Sequence, residues 1–118
     1  MRVIVAPQEF KGTLTATQAA KAIGSAVRHA IPGAAIVLRP MADGGPGMLD
    51  ALLAAHKGTR LRLQVTGPYG QRVPASWGTL PGGEAIIESA QACGLMHAQG
   101  EKQPLTATTR GVGELILA

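Results

Sequence analysis

The residues with the clearest chemical potential are Asp43-Gly44-Gly45-Pro46-Gly47, set between a strand-like run and a helix-like run. The start of a helix presents N–H groups and a partial positive charge, which suit a phosphate or a carboxylate. Gly44 and Gly45 let the backbone come close to such a ligand, and Pro46 near the first helical position loses no useful hydrogen bond. Asp43 is a candidate to hold Mg²⁺ or to accept a hydroxyl proton during phosphoryl transfer. A tight turn with Asp43 as a structural hydrogen-bonder explains the same residues. Neither a Walker loop nor the dinucleotide fingerprint is present, which removes support for a Rossmann dehydrogenase. Lys11-Gly12 follows the first strand-like run. Loops at strand C-termini line the ligand crevice of an open α/β sheet, so Lys11 and Asp43 are candidates for one site, with Lys11 neutralising phosphate. The alternative for Lys11 is a solvated loop position.

Two further groups are weaker signals. Glu88-Ser89 closes an apolar run and either contacts a polar substrate or makes a strand-end hydrogen bond. Thr108-Thr109-Arg110-Gly111 precedes the last helical segment. It is either an anion site of hydroxyls, guanidinium and backbone or a plain helix start capped by Thr109. Cys93, beside Gly94, reads as small packing, because no histidine is placed by sequence to activate it.

Regular elements must position these residues. Arg2 to Ala6 is a β-branched run ended by Pro7, the pattern of a buried strand. Thr15-Ala-Thr-Gln18 matches a capping box, and Ala19, Ile23, Ala26, Val27 and Ala30 follow at helical spacing. Pro32-Gly33 ends that helix, and Ala35 to Leu38 reads as a second strand. A second helix is expected from about Met48 to His56, with Lys57 at its negative end and Gly58 as the left-handed cap. This β-α-β-α order argues for a parallel sheet flanked by helices.

From Thr59 the pattern changes. Leu61, Leu63 and Val65 alternate with Arg60, Arg62 and Gln64, and Val73, Ala75 and Trp77 alternate after a turn at Thr66 to Gly70. Pro81-Gly-Gly83 then turns the chain into Ala85-Ile-Ile87. Antiparallel β-structure is expected here, with a domain border between Gly58 and Gly67. Glu114 to Ala118 reads as the first turn or two of an amphipathic helix, which gives the expectation that the chain is incomplete.

Composition narrows the function classes. The chain has 118 residues, 46% of them hydrophobic, and its only aromatics are Phe10, Tyr69 and Trp77, so a core must be aliphatic. Only 15% are charged, which hints at surfaces covered in a complete protein. The net charge of +4 is scattered, without the basic stripe of a nucleic-acid binder, and fits an anionic small substrate. One cysteine allows no internal disulfide, and His29, His56 and His97 lack metal-ligand spacing. No signal peptide or membrane-length apolar run is visible, and a cytoplasmic address is expected.

Five segments, in order, resemble one family. Ala6-Pro-Gln-Glu-Phe-Lys-Gly-Thr-Leu-Thr-Ala16 is similar to the APDSFKGSLSA opening of bacterial glycerate kinases. Pro40-Met-Ala-Asp-Gly-Gly-Pro-Gly47 is similar to PMADGGEG, and Val65-Thr-Gly-Pro-Tyr-Gly70 to VTGPLG. Glu88 to Leu95 resembles EMAAASGL, and Pro104 to Ile116 resembles PLVTTSRGTGELI. The resemblance implies ATP-dependent phosphorylation of D-glycerate to 2-phosphoglycerate with Mg²⁺, in glycerate and glyoxylate metabolism. It implies a flavodoxin-like domain, here residues 1–62, and a second inserted α/β domain beginning at 63–118. A homo-oligomer is compatible with it; nucleic acid and membrane are not expected partners. Asp43 and Lys11 would be catalytic, with Asp43 also the metal ligand. Gly44, Gly45, Glu88, Ser89, Thr109 and Arg110 would bind substrate or phosphate. The family's later GIGGSATNDGG segment is missing from these residues, so the chain alone is expected to be inactive. Gln8, Glu9, Pro46 and Met48 depart from the family pattern, and they motivate the competing reading of a non-catalytic anion-binding remnant or subunit-like module.

Overall fold

The structure, a computed structural model, describes residues 1–98, 100 and 103–118. The chain divides into two compact units, Met1–Ala51 and Leu52–Ala118.

In the first unit, β1 (Arg2–Val5) and β2 (Ala35–Leu38) pair in parallel, with Val3 opposite Ile36 and Val5 opposite Leu38. The crossover between them is α1 (Ala16–Ala30). It starts at the expected capping box: Gln18 N donates to Thr15 Oγ1 at 3.2 Å and Thr15 N donates to Gln18 Oε1 at 2.9 Å. Together these bonds satisfy two donors that a bare helix end would leave unpaired. Ala19, Ala20 and Gly24 form the buried face of α1, and the space beside Gly24 is filled by Leu38 and Ile36. This helix covers one face of the two-stranded sheet. Ile4 points to the other face and is 62% exposed, so the expectation of a buried first strand holds only for its α1-facing side, where Val5 is buried. A parallel strand is buried on both faces only when helices cover each of them.

The helix α2 (Met48–His56) spans the border between the units. Its end differs from the expected cap. Lys57, not Gly58, takes the left-handed conformation, at φ 55. Gly58 N donates to Leu53 O at 3.0 Å, the bond of a Schellman ending. Gly58 is small for another reason: a Cβ there would lie 2.6 Å from Leu53 and 2.7 Å from the carbonyl of Thr79.

The second unit is built on β3 (Thr59–Thr66), β4 (Arg72–Thr79) and β5 (Ala85–Ile86), antiparallel in that order. Ile87, expected to extend the last strand, falls outside it. The alternation read from the sequence sets the register: Leu61, Leu63 and Val65 oppose Trp77, Ala75 and Val73 on one face. Two helices follow, α3 (Ala90–Cys93) and α4 (Arg110–Ile116), with a 3₁₀ turn at Leu95–His97. Val65, Val73, Ala75, Ala92 and Leu115 form the core, with Leu63, Trp77, Ile87 and Val112 packed against it.

The last helix begins at Arg110, where a start capped at Thr109 puts it and four residues before the Glu114 segment read as its first turn. Thr108 Oγ1 accepts from Arg110 N at 3.1 Å, whereas Thr109 makes no side-chain cap bond. The capping role therefore belongs to Thr108. Gly111 is buried, and a side chain there would collide with the carbonyl of Thr66. Among the described residues no helix is long and apolar enough to cross a membrane.

Candidate active site

Two loops leave the C-terminal ends of β1 and β2 and run side by side. Arg39 N donates to Val5 O at 2.8 Å and Met41 N to Pro7 O at 3.0 Å, which continues the parallel pairing past the strands. The first loop folds back on itself at Phe10 to Leu14. Phe10 O accepts from Thr13 N at 2.9 Å and from Thr13 Oγ1 at 2.9 Å, and Phe10 N donates to Leu14 O at 2.9 Å. That tight turn sets Lys11 at its tip. The second loop carries Asp43, whose Oδ1 accepts from Gly45 N at 3.1 Å. This side-chain turn needs the backbone to reverse at once, and Gly44 does so at φ 96.

Between the loops lies a cavity of about 250 Å³ within the first unit. Gln8, Glu9 and Lys11 line it from one side. Asp43, Gly45 and Pro46 line it from the other, with Met41 and Ala42. The structure thus brings Lys11, Asp43 and Gly45 together. Gly44 supplies the turn without lining the cavity. At the start of α2, Met48 N donates to Gly45 O at 3.2 Å and Ala51 N to Gly47 O at 3.0 Å.

The other sequence-predicted residues belong to the second unit. Glu88 is 2% exposed, and its Oε1 accepts from Gln91 Nε2 at 3.2 Å. Gln91 Oε1 in turn accepts from Ser76 N at 3.3 Å, which ties the carboxylate to β4. Ser89 is exposed at the start of α3 and makes no side-chain cap bond. Arg110 is exposed, and its Nε lies 3.3 Å from Glu114 Oε1, one helical turn along α4. Thr109 is exposed.

Glu114, which sequence reasoning did not single out, sits in a network of its own. It accepts from Thr66 Oγ1 at 2.7 Å and from Thr66 N at 2.8 Å, and it meets Arg72 Nη1 at 3.3 Å. The Thr66 hydroxyl and then the Thr66 N–H hold its carboxyl below the usual glutamate value, with smaller help from Arg72 and Arg110, against some desolvation. Arg72 also donates to the Gln64 carbonyl. In the sequence, Gln8 and Glu9 stand out only as departures from a motif. Their position just past a parallel strand is the signal that could have placed them on the cavity wall.

The donor set suits a hard cation. Asp43 and Glu9 offer carboxylates and Gln8 a carboxamide oxygen, and Mg²⁺ commonly takes one or two carboxylates plus phosphate and water oxygens. Among the described residues no group of three or more His, Cys, Asp or Glu could hold a metal by itself.

Comparison with known proteins agrees with this architecture. The family model described as the glycerate kinase family matches residues 3–118. Glycerate 2-kinase of Escherichia coli (strain K12) is 44% identical over 119 residues, covering 99% of this chain and 31% of that protein. Glycerate kinase of Bacillus subtilis (strain 168) is 43% identical over 118 residues, covering 98% of this chain and 31% of that protein. A crystal structure assigned as glycerate kinase 2 from Salmonella typhimurium LT2 aligns with a TM-score of 0.76 at 38% identity, over 99% of this chain and 32% of that one. The chain spans about a third of the length of the curated relatives it matches. With the family pattern running through nearly all of its residues, the chain belongs to the glycerate kinase family.

Proposed function

We propose that these residues form part of an enzyme that transfers a phosphoryl group from ATP to D-glycerate, giving 2-phosphoglycerate. The observation that carries the reading is the cavity shared by Lys11 and Asp43, where loops from two parallel strands meet. In this reading residues 1–62 are the flavodoxin-like portion, residues 63–118 open the inserted domain, and the enzyme works in the cytoplasm.

Each residue has a stated task. Lys11 places an ammonium beside the anionic end of the substrate. Asp43 faces the reacting hydroxyl and accepts its proton, or holds Mg²⁺ through the same carboxylate. Its bond to Gly45 N fixes one oxygen, so the other keeps a defined direction. Gly45 keeps the wall low enough for a phosphate oxygen to approach. Mg²⁺, when bound, neutralises phosphate charge that would otherwise oppose attack by the hydroxyl. In the second unit Arg110, Thr109 and Ser89 are proposed to meet anionic groups. The buried Glu88 holds its place through Gln91 rather than by open contact.

A chimera tests the assignment. The 118 residues are joined to the remaining two-thirds of the Bacillus subtilis relative, and ADP release is followed with D-glycerate and Mg-ATP. The chimera is expected to turn over and the 118-residue chain to show negligible turnover. Asp43→Ala in the chimera should cost at least about 100-fold in kcat, the scale of a lost general base. Near-normal kcat in that variant removes Asp43 from the chemistry.

A further inference from the structure

The cavity wall carries two carboxylates, Glu9 and Asp43, against one ammonium, Lys11. Among the described residues none of the three forms a salt bridge. Opposite charges that face one space without pairing can be satisfied together by a ligand of mixed character. Such a ligand has an anionic end for Lys11 and hydroxyl donors for the carboxylates. A small hydroxy acid fits that description. The negative excess opposes each further negative charge that enters without a cation to neutralise it.

We infer that Glu9 is a specificity-determining residue. It biases the cavity toward a singly charged hydroxy acid and against the same acid once phosphorylated. The inference rests on the reading of this cavity as the acceptor site. Across a space of this size in water-like surroundings, one like-charge pair weakens binding by about threefold. A phosphorylated product with roughly three negative charges is therefore opposed by about thirtyfold, against about threefold for the acid itself. The difference favours release of the product from the cavity where it forms. Asp43 is also negative and exposed, but one of its oxygens is engaged by Gly45 N, whereas no hydrogen bond or ion pair among the described residues engages Glu9.

The test is a set of dissociation constants for D-glycerate and 2-phosphoglycerate on the 118-residue chain, its Glu9→Gln variant and its Glu9→Lys variant. Glu9 is exposed in a loop, and far-UV circular dichroism confirms that each variant keeps the fold. Glu9→Gln should tighten 2-phosphoglycerate about tenfold more than D-glycerate, and Glu9→Lys should exceed that shift. Salt near 1 M should erase most of the difference, because screening then acts within about 3 Å. An unchanged ratio of the two constants in both variants, with both ligands still bound, overturns the role of Glu9 and leaves the acceptor site standing. If neither ligand binds the wild-type chain or a variant, the acceptor-site reading falls, and this inference falls with it.

Discussion

A single backbone angle separates two residues that look interchangeable at the end of α2. Lys57 occupies the left-handed region at φ 55, a conformation that costs an L-residue about 1–2 kcal/mol. Glycine there would remove that cost but add about 0.5–1 kcal/mol of backbone entropy loss on folding. Lys57→Gly should therefore stabilise the chain by a net of about 0.5 kcal/mol, read as a higher urea midpoint. A lower midpoint contradicts the strain argument. The sequence alone points to Gly58 for the left-handed position, because glycine favours it. Neighbouring atoms decide otherwise: Leu53, Thr79 and Leu80 leave no room for a Cβ at Gly58, so its smallness is a packing requirement. Local patterns name the residue types a helix end needs; tertiary contacts allot the places. Lys11 and Asp43 are easier to place, because both follow parallel strands at positions where loops must converge.

At the scale of elements, α4 is held to β3 by one carboxylate and one missing side chain. Glu114 takes both the N–H and the hydroxyl of Thr66, and Gly111 lets the helix touch the Thr66 carbonyl. Gly111→Ala forces a methyl group into that carbonyl and should destabilise the unit by about 1–3 kcal/mol, measured by denaturant unfolding. A loss below about 0.5 kcal/mol would show that the helix shifts without cost.

The clamp also makes a pH prediction. The folded state holds the Glu114 carboxyl below its unfolded value, so its contribution is fully present above the ordinary glutamate range. It is lost as pH falls through the lowered folded value. Wild type should lose stability over that acid window more steeply than Glu114→Gln; parallel curves would contradict the clamp. The alternation of β3 and β4 is legible in the sequence, because a period of two survives in any half-buried sheet. The start of α4 is legible only in part: a cap at Thr109 sets it at Arg110, as observed, whereas the apolar spacing from Glu114 sets it four residues late, and the side-chain bond at the helix start comes from Thr108.

For the whole molecule, the family follows from the match over residues 3–118, while these residues span about a third of the relatives. The uncovered face of the first sheet, with Ile4 62% exposed, shows why the sequence overstates strand burial: a pattern reports what a strand can bury, not which neighbours are present. The proposed activity depends on one local arrangement, the cavity between the loop at Lys11 and the loop at Asp43.

Backbone amide shifts recorded while D-glycerate is added to the ¹⁵N-labelled 118-residue chain test that arrangement most directly. Saturable shifts confined to the loops around residues 8–12 and 41–45, and abolished in Lys11→Met, are the predicted result. Saturable shifts confined to the second unit, or no shifts at millimolar glycerate in a chain that remains folded, would contradict it.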